Sequence, residues 1–153
     1  MLKYVEELVT FTEIPDEVSL CFNISNCPCH CQYCFEPWLA GDIGEELTIE
    51  VIQEQLKKHQ VSCICFMGGD GDYDAVINLC RNIRQLYPQL KLAMYSGREH
   101  MNSNVAQMLD YYKVGPFIKE CGPLNFKTTN QHLYKKQNEE WIDITYKFWD
   151  KRE

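Results

Sequence analysis

The sequence predicts an α/β fold built on a parallel sheet. Three observations lead there. Segments with strand character alternate with segments of helical apolar period, the pattern of βαβ units. One run, VSCICFM, is apolar almost throughout, as in a strand covered on both faces. The most unusual stretches each follow directly on a predicted strand, at the rim where open α/β sheets collect their ligands.

Taken in order, EVSLCFNIS (17–25) is rich in apolar and β-favouring residues and reads as the first strand. LTIEVIQEQLKKHQ reads as a helix from about Thr48, with Ile49, Ile52 and Leu56 on one face and Lys57 and Lys58 in its last turn. VSCICFM (61–67) is the second strand, and GGDGD breaks it. YDAVINLCRNIRQLY places Val76, Leu79, Ile83 and Leu86 at helical spacing. KLAMYSG (91–97) is a third strand, stopped by its glycine. NVAQMLDYY (104–112) reads as a shorter helix, and YKVGPFI (112–118) as a fourth strand weakened by Gly-Pro. HLYKKQNEEWIDI (132–144) has two alternating runs around Gln137 and Asn138, which predicts a C-terminal β-hairpin.

A length of 153 residues with 45% hydrophobic content is the size of one domain, residues 1–153, with apolar side chains enough for a core. The net charge of −7, with no basic cluster, excludes a phosphate-backbone partner, so no nucleic acid is expected. The opening MLKYVEELVTFTEIPDE mixes acids among its apolar residues and reads as neither signal peptide nor membrane span, so no membrane partner is expected. The expected setting is cytoplasmic and reducing, where nine cysteines stay as thiols or bind metal. Their odd number also argues against a complete set of internal disulfides.

NCPCHCQYCFEPW crowds four of those cysteines into eight residues after the first strand. Loops this short gain little from disulfide pairing, whereas thiolates at this spacing suit a metal or cluster. Cys27, Cys31 and Cys34 form C-x3-C-x2-C and can wrap one corner of a 4Fe–4S cube, leaving one iron open to another ligand. A tetrahedral zinc site would need a second cysteine arm well separated in sequence, and no stretch has that form. Cys29 falls inside the first gap, as an alternative ligand, a redox-sensitive thiol or a bystander. Cys21, Cys63, Cys65 and Cys80 lie in predicted strands or helix and read as core thiols, with Cys63 and Cys65 facing the same side. Cys121 stays open.

After the second strand, Gly68 and Gly69 would let backbone approach a ligand closely, and Asp70 adds a carboxylate for a cationic group. The same stretch would also serve as a simple turn. After the third strand, the Ser96 hydroxyl before Gly97 suits a ribose or a carboxylate. Arg98 and Glu99 would serve equally as a solvated pair, and Lys113 as a rim residue.

With its aromatic Tyr33 just before the last cysteine, the C-x3-C-x2-C run placed after the first strand resembles the radical S-adenosylmethionine enzymes. The resemblance implies an incomplete (partial) parallel β/α barrel as a single radical-SAM domain. It implies Cys27, Cys31 and Cys34 as ligands of a 4Fe–4S cluster, whose open iron binds S-adenosylmethionine. It implies Tyr33 near the adenine, and Gly68, Gly69, Asp70 and Ser96 as cofactor contacts. Asp70 stands where the family has a glutamate, one methylene longer. Lys113 would reach toward the cofactor carboxylate.

Within that family the short length, VGPFI (114–118) and TNQHLYK (129–135) resemble the glycyl-radical activases that serve anaerobic ribonucleoside-triphosphate reductase, over roughly residues 18–145. Phe35-Glu36-Pro37-Trp38 departs from the His-Asn that many activases carry after the last cysteine. The resemblance implies an oxidoreductase that reductively cleaves S-adenosylmethionine. The 5′-deoxyadenosyl radical would then take a hydrogen from a glycine near the reductase C-terminus. It also implies a low-potential electron donor such as flavodoxin. Two other readings fit the residues: a radical enzyme acting on a small molecule, and a small iron–sulfur electron carrier.

Overall fold

The computed structural model describes residues 1–28 and 41–149. Cys29, Cys31, Tyr33 and Cys34 lie outside the described residues. The chain runs through β1 (Lys3–Thr10), β2 (Ser19–Ile24), β3 (Glu45–Glu46), α1 (Ile49–Lys58), β4 (Cys63–Met67) and α2 (Tyr73–Leu86). It continues through β5 (Lys91–Tyr95), α3 (Ser103–Ala106), β6 (Tyr111–Val114), β7 (His132–Gln137), β8 (Glu140–Asp143) and a 3-10 turn (Thr145–Phe148).

Among the described residues the strands form one mixed α/β sheet in the order β3-β1-β2-β4-β5-β6-β7-β8. Its centre, β2-β4-β5-β6, is parallel. The flanks are antiparallel: β1 on β2, β3 on β1, β7 on β6 and β8 on β7. No helix among them is long and apolar enough to cross a membrane.

Strand alternation sends successive side chains to opposite faces. On one face Leu20, Phe22, Ile64, Phe66, Leu92 and Met94 pack against the apolar stripes of α1 and α2, which contribute Ile52, Val76, Leu79 and Ile83. Burying one such side chain stabilises by about 1.5–3 kcal/mol. The opposite face carries Cys21, Cys63, Cys65 and Ala93, with Tyr111 and Leu133 farther along. Ile14 and Ile144 complete this smaller cluster, and of its three thiols only Cys21 lines a cavity.

The helices start where side chains take up their free amides. Thr48 caps α1 through its hydroxyl, 3.3 Å from the Val51 amide. Asp72, the second acid of GGDGD, caps α2 at 3.1 Å from the Ala75 amide.

Several elements differ from the sequence-based expectation, the two-residue β3 and the final 3-10 turn among them. β1 was not anticipated. A register shift between Tyr4 and Glu6 interrupts its alternation, and its central residues are exposed. The helix expected over 104–112 is only Ser103–Ala106. Tyr111 and Tyr112 join β6 instead, buried on opposite faces of the sheet. Asp110 ends the helical path, accepting the Leu92 amide and the Arg84 guanidinium, each at 2.9 Å. β6 stops at Val114 because Gly115 takes φ +108° and Pro116 has no amide to offer. The β7–β8 turn places Asn138 and Glu139 at φ 52° and 66°, the left-handed pair that a two-residue hairpin loop requires.

Candidate functional site

The open side of the sheet becomes a cavity of about 650 Å3 at the carboxyl ends of the parallel strands. That volume lies within the range of about 300–1,000 Å3 common to small-molecule and cofactor sites. Cys21 and Met67 form part of its floor. Glu6 and Leu8 of β1 line one side, and Phe117, Leu124 and Phe148 line another.

Four of the residues singled out in the sequence meet at this cavity: Cys27, Gly68, Asp70 and Ser96. Lys113 joins them. Cys27 is half-buried, just past β2. The chain leaves the sheet there through Asn26, at φ 58°. The Asn26 amide donates to the Gly41 carbonyl at 3.1 Å, and its side chain to Asp42 at 3.0 Å. The residues flanking the cysteine run are therefore tied together beside Cys27.

Gly69 sits differently. It does not line the cavity: a Cβ on it would lie 2.9 Å from Val76 Cγ2 and 3.4 Å from Met94 Cε, on the helix side of the sheet. Gly68, at φ +120°, lines the cavity and backs onto Ile24, where a Cβ would come within 3.2 Å of the Ile24 Cβ. The two glycines serve opposite faces of one turn.

Asp70 is 8% exposed and collects donors from the loop after β5 and from α2. Ser96 Oγ donates to its Oδ1 at 2.7 Å, the Tyr73 hydroxyl to the same oxygen at 3.0 Å, and the Gly97 amide to Oδ2 at 2.9 Å. Burial, reinforced by the Asp70 charge, pushes the Tyr73 hydroxyl far above its ordinary pKa, so Tyr73 stays a donor. Ser96 Oγ in turn accepts the Arg98 amide at 3.0 Å. Lys113, also 8% exposed, donates to the carbonyls of Ser96 and Gly115 at 3.1 and 2.8 Å. Its ammonium stands 5.7 Å from the centre of the Tyr95 ring. A positive charge and a carboxylate are thus fixed at one end of a largely apolar cavity.

Other residues of the site were not evident from the sequence. Asn23, buried at the end of β2, donates to Glu6 Oε1 at 2.7 Å across the β1–β2 pair. The Tyr95 hydroxyl reaches the Glu13 carbonyl. VGPFI and TNQHLYK, noted separately, pack on one another. A Cβ on Gly115 would lie 3.0 Å from the Gln131 Cα, and Asn130 Nδ2 donates to the Pro116 carbonyl at 2.9 Å. Only the pairing of a Gly-Pro with a distant Asn-Gln could have signalled this contact.

The donor chemistry fits an iron–sulfur group beside a polar ligand. Cys27 and, deeper, Cys21 present thiols to a mainly apolar cavity, and Asp70, Ser96 and Lys113 stand at the strand ends. Among the described residues no three His, Cys, Asp or Glu side chains converge as metal ligands. A family model described as a 4Fe-4S single cluster domain matches residues 18–139, most of the chain. Neither a search of curated proteins nor a search of solved structures returned a match.

Proposed function

The chain belongs to the 4Fe-4S single cluster domain family, and on that premise we propose that it is a radical S-adenosylmethionine activase. In this reading it cleaves S-adenosylmethionine reductively and installs a glycyl radical on anaerobic ribonucleoside-triphosphate reductase. The mixed sheet is read as the partial barrel of that family. The observation that carries the proposal is the shared cavity, where Cys27 and the turn containing Gly68 and Asp70 open on one volume at the ends of parallel strands. The contact between Gly115 and the Asn130–Gln131 backbone supports the activase assignment, since it unites the two stretches that resemble that group.

Cys27, with Cys31 and Cys34, would hold the cluster, which when bound supplies the electron that breaks the sulfonium bond. The chain's own residues position and shield. Gly68 keeps the turn after β4 free of a side chain beside the cavity. Asp70 and Ser96 fix the two rim loops relative to each other, so that polar contacts to the cofactor are set before it arrives. The Lys113 ammonium gives the same end a positive charge that suits a carboxylate. Phe117, Leu124 and Phe148 exclude water from the rest of the volume.

The test is anaerobic reconstitution with iron and sulfide, followed by EPR of the reduced protein with and without S-adenosylmethionine. The expected result is a cluster signal changed by S-adenosylmethionine, then a glycyl-radical doublet once the reductase is added. An unchanged cluster signal would favour the electron carrier. A reductase left EPR-silent, while a small metabolite speeds cleavage, would favour the small-molecule enzyme.

A further inference from the structure

Beneath the cavity lies a thiol pair that the proposed function does not use. Cys21 on β2 and Cys65 on β4 are register partners in the parallel sheet. Both side chains belong to the cavity-side cluster and not to the helix side. The two thiols stand close enough for each to shift the other's ionisation. Cys21 is 1% exposed but lines the cavity, whereas Cys65 is sealed below it. Cys65 Sγ also lies 3.5 Å from Met67 Sδ, and Thr10 Oγ1 lies 3.7 Å from Cys21 Sγ.

From this geometry we infer that Cys21 and Cys65 form a peroxide-reactive dithiol, with Cys21 as the attacking thiol and Cys65 as the resolving one. Neighbouring strands lie about 4.7–4.9 Å apart. Register partners therefore fall inside the Cα separation of about 4.4–6.8 Å that a disulfide spans. The remaining inner-face thiol is a poorer partner. Cys63 is two residues from Cys65 on one strand, roughly 6.6–6.8 Å away with a parallel side chain. Its own register partner is Ser19.

The two thiols are also differentiated. The neighbouring Cys65 thiol, helped by Thr10 against the effect of burial, holds the Cys21 thiol below its ordinary pKa. The proximity of Cys21 and complete burial push Cys65 well up. A thiol of lowered pKa that faces the cavity, beside a neighbour held protonated, is the arrangement of a redox-responsive pair.

The chemistry balances with hydrogen peroxide as the oxidant. The Cys21 thiolate attacks one peroxide oxygen, an S–O bond forms, the O–O bond breaks, and the departing hydroxide takes a proton to become water. Cys65, losing its proton, attacks the Cys21 sulfur. The S–S bond forms, the S–O bond breaks, and a second water leaves. Two thiols are oxidised by two electrons in all, and one peroxide is reduced. The product ties β2 to β4 below the cavity. This inference does not depend on the S-adenosylmethionine reading.

The experiment exposes the full-length chain, iron-loaded and iron-free, to stoichiometric hydrogen peroxide. Remaining thiols are alkylated under denaturing conditions and the peptides are mapped without reduction. The expected product is one species joining the Cys21 and Cys65 peptides, with loss of both free-thiol signals. Cys65→Ser should instead leave a dimedone-trapped sulfenic acid at Cys21. Recovery of both residues as free thiols, after peroxide has already modified Cys27, would overturn the inference. So would a bond from Cys65 to Cys63, or from Cys21 to any other cysteine. The wild-type map decides the question even if a variant fails to fold.

Discussion

Ser96 Oγ donates to Asp70 Oδ1 at 2.7 Å, joining the loop after β5 to the turn after β4. Two residues that read as separate cofactor contacts are one structural unit. Ser96→Ala is expected to cost about 1.5–3 kcal/mol, the range for a hydrogen bond to a charged group. Asp70→Asn places a donor where three donors converge and should cost a similar amount. Their effects should not add, with a coupling of about 0.5–3 kcal/mol in a double-mutant cycle followed by urea unfolding. Additive losses would dissolve the unit.

Gly69→Ala is expected to act on stability. Its Cβ would press on Val76 Cγ2 at 2.9 Å, from a backbone at φ +116° that side chains rarely adopt. A loss of about 1–3 kcal/mol is expected, read as a lower unfolding midpoint with the α1–α2 face loosened. Full stability with lost ligand binding would place Gly69 functionally on the cavity side.

Cysteine substitutions should divide by location. About four irons per chain are expected after anaerobic reconstitution. Cys27→Ala, Cys31→Ala and Cys34→Ala should each lose them, and Cys29→Ala should keep them. Cys80→Ala should also keep them, because burial pushes that thiol up to about 12 and it packs inside the helix-side core. Iron and sulfide analysis decides. Iron loss in Cys29→Ala equal to that in Cys31→Ala would change the ligand set.

The C-terminal hairpin should respond to acid. Burial would raise the Asp143 pKa, but hydrogen bonds from Thr145 and His132 outweigh it and hold the carboxyl below its ordinary 3.8. A carboxyl held down in the fold contributes stability above its unfolded value. That contribution is lost as pH falls through the lower folded value. Exchange of the Leu133 amide, which donates to Thr145 Oγ1 at 2.9 Å, should therefore accelerate beyond its intrinsic rate below about pH 4. Asp143→Asn should flatten that step. An unchanged acid response in the variant would assign it to another group.

The parts that were legible in the sequence are those where one local pattern decides. The apolar run at 61–67 contains β4 because both faces of that strand are covered. Gly68, Asp70 and Ser96 stood out because they follow strands, and the cavity is where strands end. β1 escaped because a bulge shifts its phase and Glu6 beside Glu7 breaks the alternation. Tyr111 and Tyr112 suited a helix or a strand equally, and only pairing with β5 and β7 settles them. Adjacent glycines look alike in sequence, so nothing local separates Gly68 from Gly69. The Glu6–Asn23 bond needs the β1–β2 pairing before it can exist.

The sheet order also sets a sequence of assembly. β1 and β2 pair as a local antiparallel unit and can close without help. β4 must span a long connection and a helix before it lies beside β2, and each later parallel strand meets the same loop-closure entropy. During synthesis the cysteine run therefore emerges well before β4 does. At that stage the β1–β2 pair stands alone, with the β4 part of the cavity floor still to be built.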